Sequence, residues 1–377
     1  MEFKNLKKQY ESIKDEIDSA INAVITETNF VSGKQIIELE KTLSSYVGTK
    51  YCITCANGTD ALSLALLALE ITSNDAVFVP DFTFFASGEV VSFIGATPIF
   101  VDVEESTYNI SISCLESAIQ KVIAQGILTP KVIIAVDLFG QPANYGALYE
   151  IAQKYNLYII EDGAQSFGGM IDHQRACSFG DISTTSFFPV KPLGCYGDGG
   201  AIFTNSEDYA KIIRSLSIHG KGQNKYDNVR IGMNSRLDTL QAAILLPKFN
   251  SFCKYELEAV NTAAEYYSAH LYSYVTVPTI RTNYYSSWAQ YTIQLANPTQ
   301  RNTLQNLLKE NSIPSMVYYP KPLHKQIAFS AYHYDDNDFP VTTKLCNCVL
   351  SLPLHPYISK KEQDTVIKII ESVCKSS

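Results

Sequence analysis

Apolar residues recur at helical spacing from the start of the chain. Leu6, Tyr10, Ile13, Ile17, Ile21 and Val24 share one face and predict a helix over 5–26. Ile36, Ile37, Leu39, Leu43 and Val47 predict a second over 34–47, ended by Gly48 as a C-terminal glycine should. Short apolar runs then alternate with helical ones. Strands are expected at 51–54, 76–79, 97–101, 131–137, 157–161, 182–188 and 201–204, and helices at 61–69, 81–94, 113–125, 145–155 and 206–218. This alternation predicts an α/β fold, a mostly parallel sheet wrapped by helices, with functional side chains at the carboxyl ends of strands. An apolar helix over 237–246 and a long amphipathic one over 249–273 lead into a different pattern. There, strands at 289–295 and 315–318 bracket a helix at 299–311, and a helix over 359–375 closes the chain. The expected division is a large α/β domain over 1–250 and a small α+β domain over 251–377, linking helix included.

Several strand ends carry chemistry. Cys55-Ala56-Asn57-Gly58-Thr59-Asp60 turns directly into the helix beginning at Ala61. The first amides of a helix have no internal partner, so this turn suits an anion. Asn57 and Thr59 are also ordinary capping residues, which is the plainer reading of the turn taken alone. Thr83-Phe84 follows another strand, and Asp162 ends a third within Glu161-Asp162-Gly163-Ala164-Gln165-Ser166. Lys191 lies between the apolar run Ile182–Phe188 and a turn containing Gly194, Gly197, Gly199 and Gly200. A lone lysine in a loop is ordinarily a surface residue. One held in apolar surroundings has its pKa lowered, and its neutral amine can attack a carbonyl.

Composition narrows the partners. Of 377 residues, 46% are hydrophobic and 18% charged, as in a globular enzyme with a large core. A net charge of −8 without basic runs argues against nucleic acid or a membrane surface as partner. No apolar stretch is long enough to span a bilayer, and the N-terminus reads as an amphipathic helix rather than a signal peptide. The nine scattered cysteines are therefore expected as free thiols in a cytoplasmic protein. Cys52 with Cys55, and Cys346 with Cys348, are expected in buried strands rather than at a metal.

An anion turn, an aromatic ring, a carboxylate and an amine are together what pyridoxal 5′-phosphate needs: phosphate donors, a stacking face, a partner for the pyridine nitrogen and a lysine for the aldehyde. At these residues the chain resembles the DegT/DnrJ/EryC1/StrS family of nucleotide-sugar aminotransferases, and the resemblance runs from the N-terminal helix to Ser351-Leu352-Pro353-Leu354-His355-Pro356-Tyr357. It implies the type I aspartate-aminotransferase fold. It also implies that Lys191 bonds the cofactor, Asp162 faces the pyridine nitrogen, and Gln165 lies near the 3-hydroxyl. Phe84 stacks on the ring, and Gly58, Thr59 and Ser186 hold the phosphate. Asn234 is implied to reach that phosphate from the neighbouring subunit of a homodimer. Gly163 replaces an alanine common among relatives, and Phe84 a tyrosine; both keep the needed property.

A finer resemblance is to the branch that aminates C3 of UDP-linked N-acetylated 3-keto-hexuronates for bacterial surface polysaccharides such as O-antigen. It is carried by Ser186–Gly200, by Asn234-Ser235-Arg236-Leu237-Asp238-Thr239-Leu240-Gln241, by Tyr291 and by Tyr319-Pro320-Lys321-Pro322-Leu323-His324. A uronate carboxylate suits the fork of an arginine, and Arg236 from the partner subunit is the candidate. Arg230, Tyr319 and His324 are weaker candidates for diphosphate and sugar, and the polar loop 221–228 is placed to alter access or nucleotide contacts. The implied chemistry is a ping-pong transamination with L-glutamate as donor and Lys191 moving the proton. An aminotransferase for a 3- or 4-keto-6-deoxy sugar stays open. A sugar dehydratase of this fold would carry histidine at Lys191. A non-catalytic regulator would not need Lys191 and Asp162 intact. A dinucleotide-dependent dehydrogenase lacks its glycine fingerprint here.

Overall fold

The computed structural model describes residues 1–224 and 226–374; Lys225, in the loop 221–228, and 375–377, at the end of the expected last helix, lie outside the described residues. A seven-stranded sheet forms the centre, in spatial order Tyr51–Cys55, Gly200–Thr204, Ile182–Ser186, Tyr158–Asp162, Thr129–Val136, Asp75–Pro80 and Thr97–Val101. Six strands point one way. Gly200–Thr204 alone is reversed, pairing antiparallel with both neighbours. Its connection from Ser186 contains no helix, and a parallel return would need one. The middle strands are buried along nearly their whole length, which explains their near-continuous Val/Ile/Ala runs.

Helices cover both faces. One apolar cluster joins Leu62, Leu66, Val79, Val91, Ile134 and Ile160. A second, with Phe78, Ile119, Ile133, Leu148 and Ile159, covers the other side of the same strands. The C-terminal part has its own cluster, including Tyr267, Tyr291, Ile293, Leu308, Leu352 and Ile370, around the two-stranded sheet Tyr291–Gln294 with Val349–Leu352. Leu323, Phe329, Phe339 and Leu345 pack instead into the first cluster, so the segment between those two strands returns to the large sheet.

Several sequence expectations are corrected. The first helix is two, Leu6–Ser12 and Lys14–Glu27, broken at Ile13 with φ −132° and ψ 27°. The helices expected at 237–246 and 249–273 are one run from Thr239 to Leu271, with a π-helical turn at Phe252–Glu256, and it passes 250 without a break. Residues 315–318 make a single bridge, Met316 to Ser351, rather than a strand. Cys346 and Cys348 end the helix Pro340–Cys348 instead of lying in a strand, while Cys52 and Cys55 sit in the first strand, buried.

Candidate functional site

The carboxyl ends of the parallel strands place the chemistry. Tyr51–Cys55 and Ile182–Ser186 flank the reversed strand, so Cys55 and Ser186 both lie opposite Gly200. The helix Gly58–Ala68 starts there, with the Asn57 side chain accepting from the Asp60 amide. This leaves the Gly58 and Thr59 amides as the outward donors of its first turn. Gly58 packs so closely on Ser186 that a Cβ on it would lie 2.7 Å from the Ser186 Cβ. Glycine is thus required for the turn and the Ser186 hydroxyl to form one concave cradle. Ser186 Oγ also accepts from the Phe188 amide at 3.2 Å, which orients it.

The next residues form a tight loop. The Lys191 amide donates to the Phe188 carbonyl at 2.9 Å, and the Cys195 amide to the Phe187 carbonyl at 2.8 Å. Gly194 closes the loop where a Cβ would meet the Pro189 carbonyl oxygen at 2.5 Å. The loop leaves Lys191 half-buried. Burial pulls its pKa below the ordinary lysine value, while the charge of Asp162 acts against that pull.

Asp162 is buried at the end of its strand. Its Oδ2 accepts from the Ser87 hydroxyl at 2.8 Å and its Oδ1 from the Ala164 amide at 3.2 Å. Burial raises its pKa, and the two donors and Lys191 oppose the rise. Asp162 and Lys191 therefore sense each other's charge, yet no ion pair within 4.0 Å joins them.

Gln165 follows on the same loop, buried. Its Oε1 accepts from the Phe139 amide at 2.7 Å, and its Nε2 donates to the Tyr319 hydroxyl at 3.1 Å. The Tyr319 ring lies 6.0 Å from Phe82 and 6.3 Å from Phe84. Burial raises the Tyr319 pKa far above the usual phenol value, so it is a neutral hydroxyl at any working pH. Phe84 caps the helix Phe85–Phe93 and is 56% exposed, a large ring left open beside buried neighbours.

The fold brings Gly58, Thr59, Phe84, Asp162, Gln165, Ser186 and Lys191 to the carboxyl ends of the sheet strands, and Tyr319 joins them through Gln165 and Phe84. It does not bring in the others. Asn234, Arg230 and Arg236 are exposed, and among the described residues no ion pair engages either arginine. His324 is buried and occupied: Nδ1 contacts Asp81 Oδ2 at 2.6 Å, Nε2 contacts Asp336 Oδ1 at 3.0 Å, and the ring stacks on Phe339 at 4.4 Å. With both nitrogens bonded inside the chain, it has no free atom for a sugar, which corrects the substrate role expected of it. Sequence reasoning passed over Ser87, and named Thr83 only as part of the Thr83-Phe84 turn; their hydroxyls lie 3.3 Å apart behind Asp162. Their four-residue spacing at a helix start was a visible signal, but a weak one.

The residues fit pyridoxal 5′-phosphate. The cradle offers amides and a hydroxyl to a phosphate, Phe84 offers a ring face, and a buried carboxylate stands off from a lysine whose pKa burial lowers. A model of the DegT/DnrJ/EryC1/StrS aminotransferase family matches residues 11–371. The UDP-2-acetamido-2-deoxy-3-oxo-D-glucuronate aminotransferase of Pseudomonas aeruginosa is 44% identical, covering 95% of this chain and 96% of its own. The UDP-N-acetyl-3-dehydro-α-D-glucosamine 3-aminotransferase of Acidithiobacillus ferrooxidans is 38% identical over 97% of this chain and 96% of its own. A crystal structure of a DegT DnrJ EryC1 StrS aminotransferase from Brucella abortus superposes with a TM-score of 0.96 at 46% identity, covering 99% of each chain.

Proposed function

Because the chain belongs to the DegT/DnrJ/EryC1/StrS aminotransferase family, we propose that it transfers an amino group from L-glutamate to C3 of UDP-2-acetamido-2-deoxy-3-oxo-glucuronate. It is a pyridoxal 5′-phosphate-dependent aminotransferase of nucleotide-linked keto-sugars. The observation that carries the site is the buried Asp162 held apart from Lys191, with the exposed Phe84 at the start of the helix that bears its donor Ser87.

When bound, pyridoxal 5′-phosphate supplies a carbonyl that an amine can bond and a ring that accepts the electrons of a broken C–H bond. The chain does the rest. Gly58 and Thr59 amides and the Ser186 hydroxyl hold the phosphate. Asp162 would keep the pyridine nitrogen protonated, Phe84 would cover the ring, and Gln165, fixed by Phe139 and Tyr319, would lie at its side. Lys191 Nζ would hold the group covalently, and as a free amine it would serve as the base that accepts the proton of the donor's Cα and as the acid that gives it back. Lowering of its pKa by burial favours the neutral amine that this needs.

The sugar assignment is supported by the likeness to two UDP-sugar 3-aminotransferases, and by Arg236. That exposed guanidinium is suited to a uronate carboxylate, reached from the other subunit of a homodimer, with Asn234 completing the phosphate site and Arg230 the diphosphate. The exposed apolar residues Phe30, Val31 and Ile37 support a dimer face here. Val31 bridges to Asp238, two residues from Arg236. The product would enter a bacterial surface polysaccharide such as O-antigen, and the enzyme would work in the cytoplasm. Among the described residues no helix is long and apolar enough to cross a membrane.

The test is a panel of nucleotide keto-sugars offered to the pyridoxamine form, followed by return of the visible band of the lysine-bound cofactor. The 3-keto-uronate should react fastest; preference for a keto-6-deoxy sugar would replace the assignment. Arg236→Ala should raise KM for the uronate about tenfold or more and leave the glutamate half-reaction unchanged.

A further inference from the structure

Ser87 touches both halves of the cofactor site. Its amide donates to the Phe84 carbonyl at 3.2 Å. Its hydroxyl donates to Asp162 Oδ2 at 2.8 Å. The first contact closes the opening turn of the helix Phe85–Phe93 and seats the backbone that presents the Phe84 ring. The second reaches an acid 75 positions away in sequence. A serine inside a helix usually turns its hydroxyl back to a carbonyl of its own helix. This one leaves its helix to bond a carboxylate, and Thr83 backs it hydroxyl to hydroxyl at 3.3 Å. Ser87 and Thr83 are 1% and 3% exposed, so water does not compete for either.

Asp162 has few other supports. Among the described residues, Ser87 is the one side chain that donates to it, and the Ala164 amide is a longer contact at 3.2 Å. Lys191 also favours the ionised carboxylate, but only through its own positive charge. That charge is not constant in a site where the same nitrogen is alternately bonded and released. The hydroxyl of Ser87 is constant. A donor to an ionised carboxylate in a buried site contributes more than a neutral hydrogen bond, because it stabilises only the charged form.

We propose that Ser87 is a positioning residue for the transamination: its hydroxyl keeps Asp162 ionised and aimed at the pyridine nitrogen, while its amide holds Phe84 against the ring. This rests on the pyridoxal phosphate reading above. A serine that merely filled space would be replaceable by alanine, one atom smaller, without effect on any titration. A serine that sets Asp162 is replaceable by threonine but not by alanine.

The experiment compares wild type, Ser87→Ala and Ser87→Thr as full chains with added pyridoxal 5′-phosphate. It reads the pH midpoint of the visible absorbance of the lysine-bound cofactor, then kcat and KM for each substrate. In Ser87→Ala the Asp162 carboxylate loses the donor that favours its charged form, so its proton affinity rises and it keeps the pyridine nitrogen positive less firmly. The neighbouring linkage nitrogen then protonates more easily, and the spectral midpoint moves up by about one pH unit. The kcat falls about tenfold, with KM for the nucleotide sugar little changed. Ser87→Thr restores both. An unmoved midpoint in Ser87→Ala, or a threonine variant that behaves like alanine, overturns the proposal. If the alanine variant does not fold, Ser87→Cys keeps the volume with a poorer donor: an upward shift supports the role and a wild-type midpoint overturns it. A wild-type protein that gives no visible band would sink the cofactor reading itself, whereas a band indifferent to Ser87 sinks only this inference.

Discussion

Asp137 and Asp162 stand at the ends of adjacent parallel strands, both buried, and the Asp137 amide donates to the Asp162 carbonyl at 3.1 Å. Their carboxyl groups have opposite surroundings. Asp137 Oδ1 accepts from the Ala143 amide at 2.8 Å and the Tyr145 hydroxyl at 2.9 Å, and its Oδ2 from the Ser166 hydroxyl at 2.7 Å. Its charged neighbour is another acid, Glu161, itself bonded by the Cys177 amide, by the Phe179 amide at 2.7 Å and by the Ser183 hydroxyl at 2.7 Å. Burial and then Glu161 push the Asp137 pKa up. Asp162 has two donors and a lysine for a neighbour. The saturated acid ties loops to the sheet. The acid left with spare acceptor capacity beside an amine is the one available to a ligand. Position at a strand end is common to both, and only partner count and neighbour charge separate structural use from chemical use.

The sharpest way to break this comparison is at Lys191. Lys191→Ala should lower turnover by more than about 10³-fold and remove the visible band of the bound cofactor. It should leave the cofactor-free protein as stable as before or more so, because a half-buried amine whose charge burial disfavours has been removed. Full activity, or a large loss of thermal stability, would move Lys191 to the structural side. Asp162→Asn comes next. Turnover should fall about 10²-fold, as expected when the group setting another's protonation is lost. Apo stability should again hold, since burial already raises the Asp162 pKa and a group raised this way destabilises the fold above its unfolded value.

Asp137→Asn should do the reverse. Three donors converge on that carboxylate, and an amide nitrogen would face at least one of them. The expected cost is about 1–3 kcal/mol, read as a shift in urea midpoint, with specific activity of the folded fraction retained. If Asp137→Asn proved stable but inactive, partner count would be a poor guide to the role of a buried acid.

The sequence made some of this contrast visible. Lys191 between an apolar run and glycines, Asp162 closing a strand and Gly58-Thr59 opening a helix are local patterns, and the fold places all three where the pattern implied. What was hidden is what depends on distant pairing. Ser87 reads as one polar residue in an apolar helix until the strand ending at Asp162 is laid beside it. His324 looked available because its partner Asp81 lies 243 positions earlier. Residues 315–318 looked like a strand because Met316, Val317 and Tyr318 form an apolar run; Val317 and Tyr318 do pack on the core, but only the exposed Met316 meets a neighbouring strand. The break at Ile13 does not interrupt the apolar spacing, so periodicity alone read one helix there.

A third strand-end acid gives the finest test. Asp81 Oδ1 accepts from the His324 amide at 2.8 Å and Oδ2 contacts its ring at 2.6 Å, while the Leu323 amide donates to the Asp81 carbonyl at 3.1 Å. The charged groups facing the ring are Asp81 on one side and, at the surface, Asp336, which also pairs with Lys325 at 2.5 Å. Burial alone would lower the His324 pKa, but Asp81 and then Asp336 raise it above 6.5 overall. A histidine raised on folding stabilises fully below its unfolded value, and that contribution is lost as pH climbs through the raised one. His324→Asn keeps a donor toward one carboxylate only. It should therefore cost more stability at about pH 6 than at about pH 9, a difference under about 1 kcal/mol, since the outer partner is exposed and screened. The segment it anchors carries Tyr319 to Gln165, so KM for the nucleotide sugar should follow the same pH trend while the glutamate half-reaction does not. A stability loss equal at both pH values would mean that the imidazole acts as a neutral brace. Asp81 would then be held by hydrogen bonds alone, as Asp137 is.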